Sequence, residues 1–343
     1  MLGFLPFVAW EVFSIIYYGF PFPNTAYAKL NTGIPAGELI RQGYYYFADS
    51  LQIDPLTLPA VGCAILAALV SRRGRHLAIA AGIVLYLLYV LKIGGDFMSG
   101  RFFAVPLFAG LAILGTPDLG GIKAKVGWAA GMFAAVALGL SAANPSLLTG
   151  AMYGNVADGL VSPHGIADER AWYYIFTGLL RGNRKVGHVV LRDAENARKA
   201  GEKVVVSRNT IGMFGYYAGP DIHIVDLFAL ADPLLARLPM KPNPKWRIGH
   251  FEREVPAGYV ESLKTGRNEI ADPRLHDLYD QVVLVTRGPL FTRQRWAAIW
   301  RLNTSGAAVV AGAPSSQTAP PGPWPPAITQ CRPPPHQRLP PHR

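Results

Sequence analysis

The sequence predicts a membrane α-helical bundle of about five spans, followed by an extracytoplasmic α/β soluble domain. Half of the 343 residues are hydrophobic and only 16% are charged. Nearly all of the long apolar runs fall before Asn144, and the remainder has the mixed pattern of a soluble chain. The third observation is the loop GGDFMSGRF at 94–102, flanked on both sides by membrane-grade apolar sequence. A carboxylate and a guanidinium are costly to place where a chain leaves hydrocarbon, so Asp96 and Arg101 point to a functional site at the membrane surface.

The transmembrane region is expected over residues 1–143, with spans near 2–20, 55–70, 77–91, 102–115 and 126–143. Several are shorter than the roughly 20 residues that cross about 30 Å of hydrocarbon. Apolar flanks and shielding within a bundle compensate. The first run reads as a span and not as a signal peptide, because it has no basic leader or small-residue cleavage site and Glu11 interrupts it. Arg72, Arg73 and Arg75 lie between the second and third runs, and Lys123 and Lys125 between the fourth and fifth. The positive-inside rule puts both loops in the cytoplasm. Alternation then places the N-terminus inside, and the 20–54 loop, the Asp96–Arg101 loop and everything after Asn144 outside.

Within the 20–54 loop, the prolines of PFPNT at 21–25 favour an extended backbone. Residues 40–51 form an amphipathic segment with Tyr44, Tyr45, Tyr46 and Phe47 beside Arg41 and Asp49. It suits an interfacial helix whose aromatics serve as a belt or line a substrate. The soluble domain is expected over 144–302. Helical periods cover 167–180 and 191–200, strands are expected at 203–207, 213–217 and 222–227, and Asp232-Pro233 opens a short helix. Residues 250–264 are expected to be helical towards their C-terminal end. The tail, 303–343, holds eleven of the 29 prolines and no acidic residue, so its composition predicts disorder.

The net charge of +11 does not indicate nucleic acid, because the basic residues form no aromatic-interleaved patch or recognition module. Cys63 and Cys331 are too differently placed to pair, and zinc-type spacing is absent. The sequence HFERE from His250 is not the HExxH pattern, so zinc hydrolysis has no support. A transporter is disfavoured by the lack of an internal repeat or an interrupted helix pair.

Four blocks carry a family resemblance: YYGFPFPNTAYAK at 17–29, GGDFMSGRF at 94–102, GYY at 215–217 with DL at 226–227 and ADP at 231–233, and RIGH at 247–250 with PAGY at 256–259. In this order they resemble a bacterial family of polytopic GT-C-type glycosyltransferases, the mycobacterial terminal beta-(1->2)-arabinofuranosyltransferase family, over roughly residues 10–265. The resemblance implies a multi-pass protein of the bacterial plasma membrane that transfers arabinofuranose or a similar sugar from a polyprenyl-phosphate donor to a cell-envelope glycan. Family members carry an acidic loop, rich in Asn and Gly, that supplies the presumed catalytic Asp. This sequence has no such loop, so it resembles an N-terminally truncated form whose catalytic residue is expected upstream of Met1. The competing expectation is a non-catalytic, membrane-anchored protein that binds or scaffolds glycan.

In such an enzyme Arg101 suits a bidentate phosphate contact and Lys29 a point-charge contact. Asp96 then orients a sugar or holds Arg101, or the two close the helix turn as a structural pair. Asn24 and Tyr27 are expected to contact the sugar ring, and His250 and Glu252 the acceptor. Tyr17 and Tyr18 suit interfacial anchors. No cofactor motif is present. The resemblance allows a divalent ion, but no residues in the sequence mark its ligands.

Overall fold

The computed structural model describes residues 2–30, 32–116, 121–141, 161–177, 188–200 and 204–304. In chain order the helices begin with α1 (Leu5–Tyr17), α2 (Asn24–Leu30), α3 (Ala36–Ile53), α4 (Thr57–Ser71) and α5 (Gly74–Lys92). There follow α6 (Ala104–Leu114), α7 (Ile122–Leu140), α8 (Glu169–Thr177) and α9 (His188–Lys199). Strand β1 (Val204–Arg208), α10 (Gly212–Ala218) and β2 (Ile222–Asp226) come next, then α11 (Tyr259–Thr265), α12 (His276–Arg287) and α13 (Arg293–Thr304). The described residues divide into two compact units. One gathers those of Met1–Pro35 and Asn183–Ala319, the other those of Ala36–Gly182. The division therefore differs from the sequential boundary expected at 143/144, because α1 and α2 group with the residues after Asn183 while α8 groups with α3 to α7 before it.

In the Ala36–Gly182 unit, α4, α5 and α6 pack around Val61, Ala64, Ala68, Ala80, Ile83 and Ile113. Small residues allow close approach. A Cβ on Gly110 would lie 3.1 Å from that of Ala64, and one on Gly43 of α3 would lie 2.3 Å from the Leu91 carbonyl oxygen of α5. All five apolar runs are helical. Among the described residues only α5, at 19 residues, is long and apolar enough to cross a membrane. The count rises to two if α3 and α4 form one span broken by a 104° bend. That bend sits at Asp54, whose carboxylate accepts from the Leu56 and Thr57 N–H groups at 3.0 and 3.2 Å and so caps α4. The apolar stretches Leu5–Tyr17, Arg101–Leu114 and Val126–Leu140, the last within α7, are shorter. The described helices thus do not reach the expected five spans. Their outward faces are nonetheless apolar, with Val70, Leu85, Leu88, Phe108 and Phe133 all exposed.

In the other unit, β1 and β2 pair in parallel, Val204 opposite Ile222 through Arg208 opposite Asp226. The segment 213–217 is not the expected strand but the body of α10, the crossover between them. Phe214 and Ala218, four residues apart, share the face that packs with Ala194 of α9 and Ile222. PFPNT is not the extended segment expected, since Pro21 and Phe22 lie in bends and α2 begins at Asn24. The expected helix after Asp232-Pro233 is a single 3-10 turn, Leu235–Arg237. It lies in the main core with Leu234, Val225, Tyr259, Tyr279 and Ala28 of α2. Helix α13 runs through Asn303, whose amide donates to the Gly19 carbonyl at 2.8 Å, so Asn303 and Thr304 belong to the fold. The rest of the expected tail, 305–343, lies outside the described residues.

Arg295 anchors α1. It is buried and donates from Nε to the Val285 carbonyl, from Nη1 to Ile16 and from Nη2 to Tyr17, at 3.0, 2.8 and 2.9 Å. These bonds satisfy carbonyls that a helix end leaves open. Arg295→Met is expected to cost at least about 3 kcal/mol, because several buried carbonyls lose a charged donor together. Melting of the purified protein reads this, and an unchanged melting temperature would show that the clamp contributes nothing.

Candidate functional site

In the Ala36–Gly182 unit, the loop after α5 returns into α6 through Gly94 and Gly95, both with positive φ. A Cβ on Gly95 would lie 2.4 Å from the ring of Tyr46, so glycine is required at this approach. Tyr46 is fully buried, and its hydroxyl accepts from the Phe102 N–H at 3.1 Å. The loop also pairs with the 161–168 segment, where the Ser99 N–H donates to the Ala167 carbonyl and the Ala167 N–H to that of Phe97. Helix α3 holds the same segment, since Gln42 Nε2 donates to the His164 carbonyl and Tyr45 stacks on His164 with ring centroids 3.6 Å apart. The three tyrosines therefore divide: Tyr46 is core, Tyr45 is a stacking partner, and Tyr44 stays exposed.

Asp96 and Arg101 are brought together on this scaffold. Their side chains meet at 2.7 Å, with Asp96 1% and Arg101 41% exposed. The guanidinium also lies over the rings of Phe97 and Phe102, at 5.5 and 5.3 Å. A buried carboxylate thus fixes a half-exposed, aromatic-flanked cation at the end of the span-length helix. The structural role of the pair is real, and it leaves one side of the guanidinium accessible. Asp49 adds a carboxylate that sequence reasoning placed only on an amphipathic helix. It is buried and accepts from Ser99 Oγ at 2.7 Å.

Lys29, Asn24, Tyr27, His250 and Glu252 belong to the other unit. Asn24 and Tyr27 converge on Arg237, a residue the sequence motifs do not mark. Its Nη1 donates to Asn24 Oδ1 at 3.4 Å and to the Pro233 carbonyl. The guanidinium lies 3.9 Å from the Phe20 ring centroid and 4.9 Å from that of Tyr27. Its Nη2 is buried and has no hydrogen-bond partner among the described residues. Burial lowers the Arg237 pKa to about 10. Asp232 nearby caps the 3-10 turn through the Leu234 and Leu235 N–H groups and accepts from the Tyr259 hydroxyl. Its burial pushes the carboxyl above its usual range. Asp226 is a turn residue, accepting from the Phe228 and Ala231 N–H groups at 3.0 Å.

His250 packs edge-on against Phe228 at 4.9 Å, with Nδ1 3.3 Å from the Ile248 carbonyl. Burial, then the charges of Arg247 and Lys29, lower its pKa to about 4. Lys29 and His250 are therefore electrostatic neighbours. His250 and Glu252 line one cavity of about 210 Å³ with Lys241, Asn243 and Trp246. Among the described residues no group of three or more His, Cys, Asp or Glu side chains is arranged to hold a metal ion.

A terminal beta-(1->2)-arabinofuranosyltransferase of Mycobacterium tuberculosis is 27% identical across 74% of this chain and 51% of its own length. An enzyme of the same name from Corynebacterium glutamicum is 33% identical across 29% of this chain and 17% of its own. The chain resembles the terminal beta-(1->2)-arabinofuranosyltransferases. It spans about half the length of the mycobacterial relative. No family model matches the chain, and no solved structure matches it.

The lowered His250 pKa has a pH consequence. The unfolded chain takes up this proton near pH 6.5 and the folded one only near 4, so stability falls as pH drops through that window. The stability is complete above it, and the loss reaches up to about 3 kcal/mol. His250→Asn is expected to flatten the decline in melting temperature between pH 6.5 and 4.5. Parallel declines for the two proteins would refute the assignment.

Proposed function

We propose that the chain acts in glycosyl transfer at a membrane surface, moving arabinofuranose or a similar sugar from a polyprenyl phosphate to a cell-envelope glycan in the manner of a GT-C enzyme. The observation that carries this is the Asp96–Arg101 corner: a half-exposed guanidinium, fixed by a buried carboxylate, where a span-length apolar helix ends. The similarity to arabinofuranosyltransferases supports the sugar-transfer chemistry.

In the transfer, an acceptor hydroxyl oxygen bonds to the anomeric carbon as the bond from that carbon to the phosphate oxygen breaks. The phosphate departs with the electron pair, and a base takes the hydroxyl proton. Arg101 is assigned to the departing phosphate, where a planar fork and full charge have most effect. Asp96 is assigned to hold the fork in position. In the other unit, Lys29 is assigned to an anionic group, and Asn24 and Tyr27 to a hydrogen-bonding face for a sugar. The exposed apolar faces of α4, α5 and α6 fit lipid contact, with the loop at 94–102 outside and the Arg72–Arg75 turn inside. A second reading, glycan binding without transfer, draws on the cavity at His250 and Glu252.

Arg101→Ala strands the buried Asp96 charge and is expected to loosen the fold as well as abolish transfer. Arg101→Lys is the cleaner test. It keeps the charge and loses the fork, and should cut transfer from a radiolabelled polyprenyl-phosphate sugar at least tenfold with little change in melting. Transfer at the parental rate in a well-folded Lys variant would return Arg101 to a purely structural role. For the orientation, a single cysteine at Ser207 in a cysteine-free background should react with an impermeant maleimide only from the outer face. Labelling solely from the cytoplasmic face would overturn it.

A further inference from the structure

The cavity at His250 is formed by two segments of backbone that run side by side. Met240 and Arg253 form an antiparallel bridge, and the Lys241 N–H donates to the Glu252 carbonyl at 2.8 Å. Arg253 fastens both walls. It is buried, and it donates from Nε to the Leu238 carbonyl before one wall and from Nη1 to the Phe251 carbonyl within the other, at 2.9 and 2.6 Å. Its Nη2 reaches the Ala28 carbonyl of α2 at 2.7 Å. The walls are thus set before any ligand arrives, which spares the cost of ordering them on binding.

The lining brings together opposite charges and neutral polar groups. Glu252 and Lys241 place one carboxylate and one ammonium on the same cavity, and neither makes a side-chain hydrogen bond or ion pair among the described residues. Asn243 adds an amide and His250 an imidazole, while buried Trp246 supplies the apolar part of the lining. Burial keeps the imidazole neutral at pH 7. Within the lining one carboxylate offsets one ammonium, while Arg247 and Lys29 add positive charge that reaches His250 from outside it. The lining supplies both donors and acceptors at close quarters, and a polyol uses both. At about 210 Å³ the space is smaller than the roughly 300–1,000 Å³ of pockets for drug-sized ligands, and so suits one ring better than a chain.

We propose that this cavity binds a single uncharged sugar residue, with Glu252, Lys241 and Asn243 bonding its hydroxyls. The inference rests on the proposed sugar-transfer role and adds to it a saccharide subsite built from residues of the other unit. The test uses the full chain in detergent and two soluble probes, methyl arabinofuranoside and inorganic phosphate, followed by ligand-observed NMR. The arabinoside should show saturation transfer. Glu252→Gln, which is isosteric at an exposed position, should weaken it about tenfold or more through loss of a charge-assisted acceptor, with melting unchanged. Arg101→Lys should leave it intact. Absence of arabinoside binding, binding indifferent to Glu252→Gln, or displacement of the sugar by phosphate would each overturn the subsite. Arabinoside binding in a protein that shows no transfer would instead count against the transferase role and leave the subsite standing.

Discussion

Buried guanidiniums bonded to backbone carbonyls hold together the unit that contains the N-terminal segment. Arg295 closes the end of α1, Arg253 takes the Ala28 carbonyl of α2, and Arg237 reaches Asn24. Among the described residues none of the three forms an ion pair with a carboxylate; Arg237 feels Asp232 only at a distance. A planar fork with five donors can satisfy several carbonyls at once, which an ammonium cannot do with the same geometry. Because the carbonyls lie at helix ends and turns, each arginine replaces a cap that the local sequence does not provide. The aromatic surroundings of Arg237 then shield it from water while its charge stays partly compensated by the rings of Phe20 and Tyr27.

The Ala36–Gly182 unit solves a different problem, a polar loop beside apolar helices. Its device is a hierarchy of fixed groups: Gly95 lets Tyr46 approach, Tyr46 takes the Phe102 N–H, Asp49 takes Ser99, and Asp96 takes Arg101. Only the last member of that sequence is substantially exposed. A charge held this firmly has little freedom left to lose on meeting an anion.

Much of this was legible in the sequence. Five apolar runs marked five helices, since composition alone separates them from polar turns. KVVVS and IHIVDL marked the two strands of the described residues because β-branched residues cluster there. The charged loop marked Asp96 and Arg101 because charge is rare in such surroundings. Span number was less legible, since apolar content does not measure helix length, and α1, α6 and the apolar part of α7 end early. Residues 213–217 misled because Tyr216 and Tyr217 favour strands, whereas the burial of Phe214 and Ala218 obeys a helical spacing. The arginines were hidden for a simple reason. A guanidinium that joins nearby carbonyls to a group more than 200 residues away has no local signature.

That separation also orders events in time. Arg295 bonds a carbonyl 279 residues earlier in the chain. At about 5–20 residues per second, a ribosome delivers it roughly a quarter of a minute to a minute after Ile16. Throughout that interval the Ile16 and Tyr17 carbonyls at the end of α1 lack their donors, and Phe20, which the finished fold buries against Val285 and Ile299, is uncovered. A nascent segment in that condition needs a host, and lipid or a chaperone must occupy it until the last helices emerge.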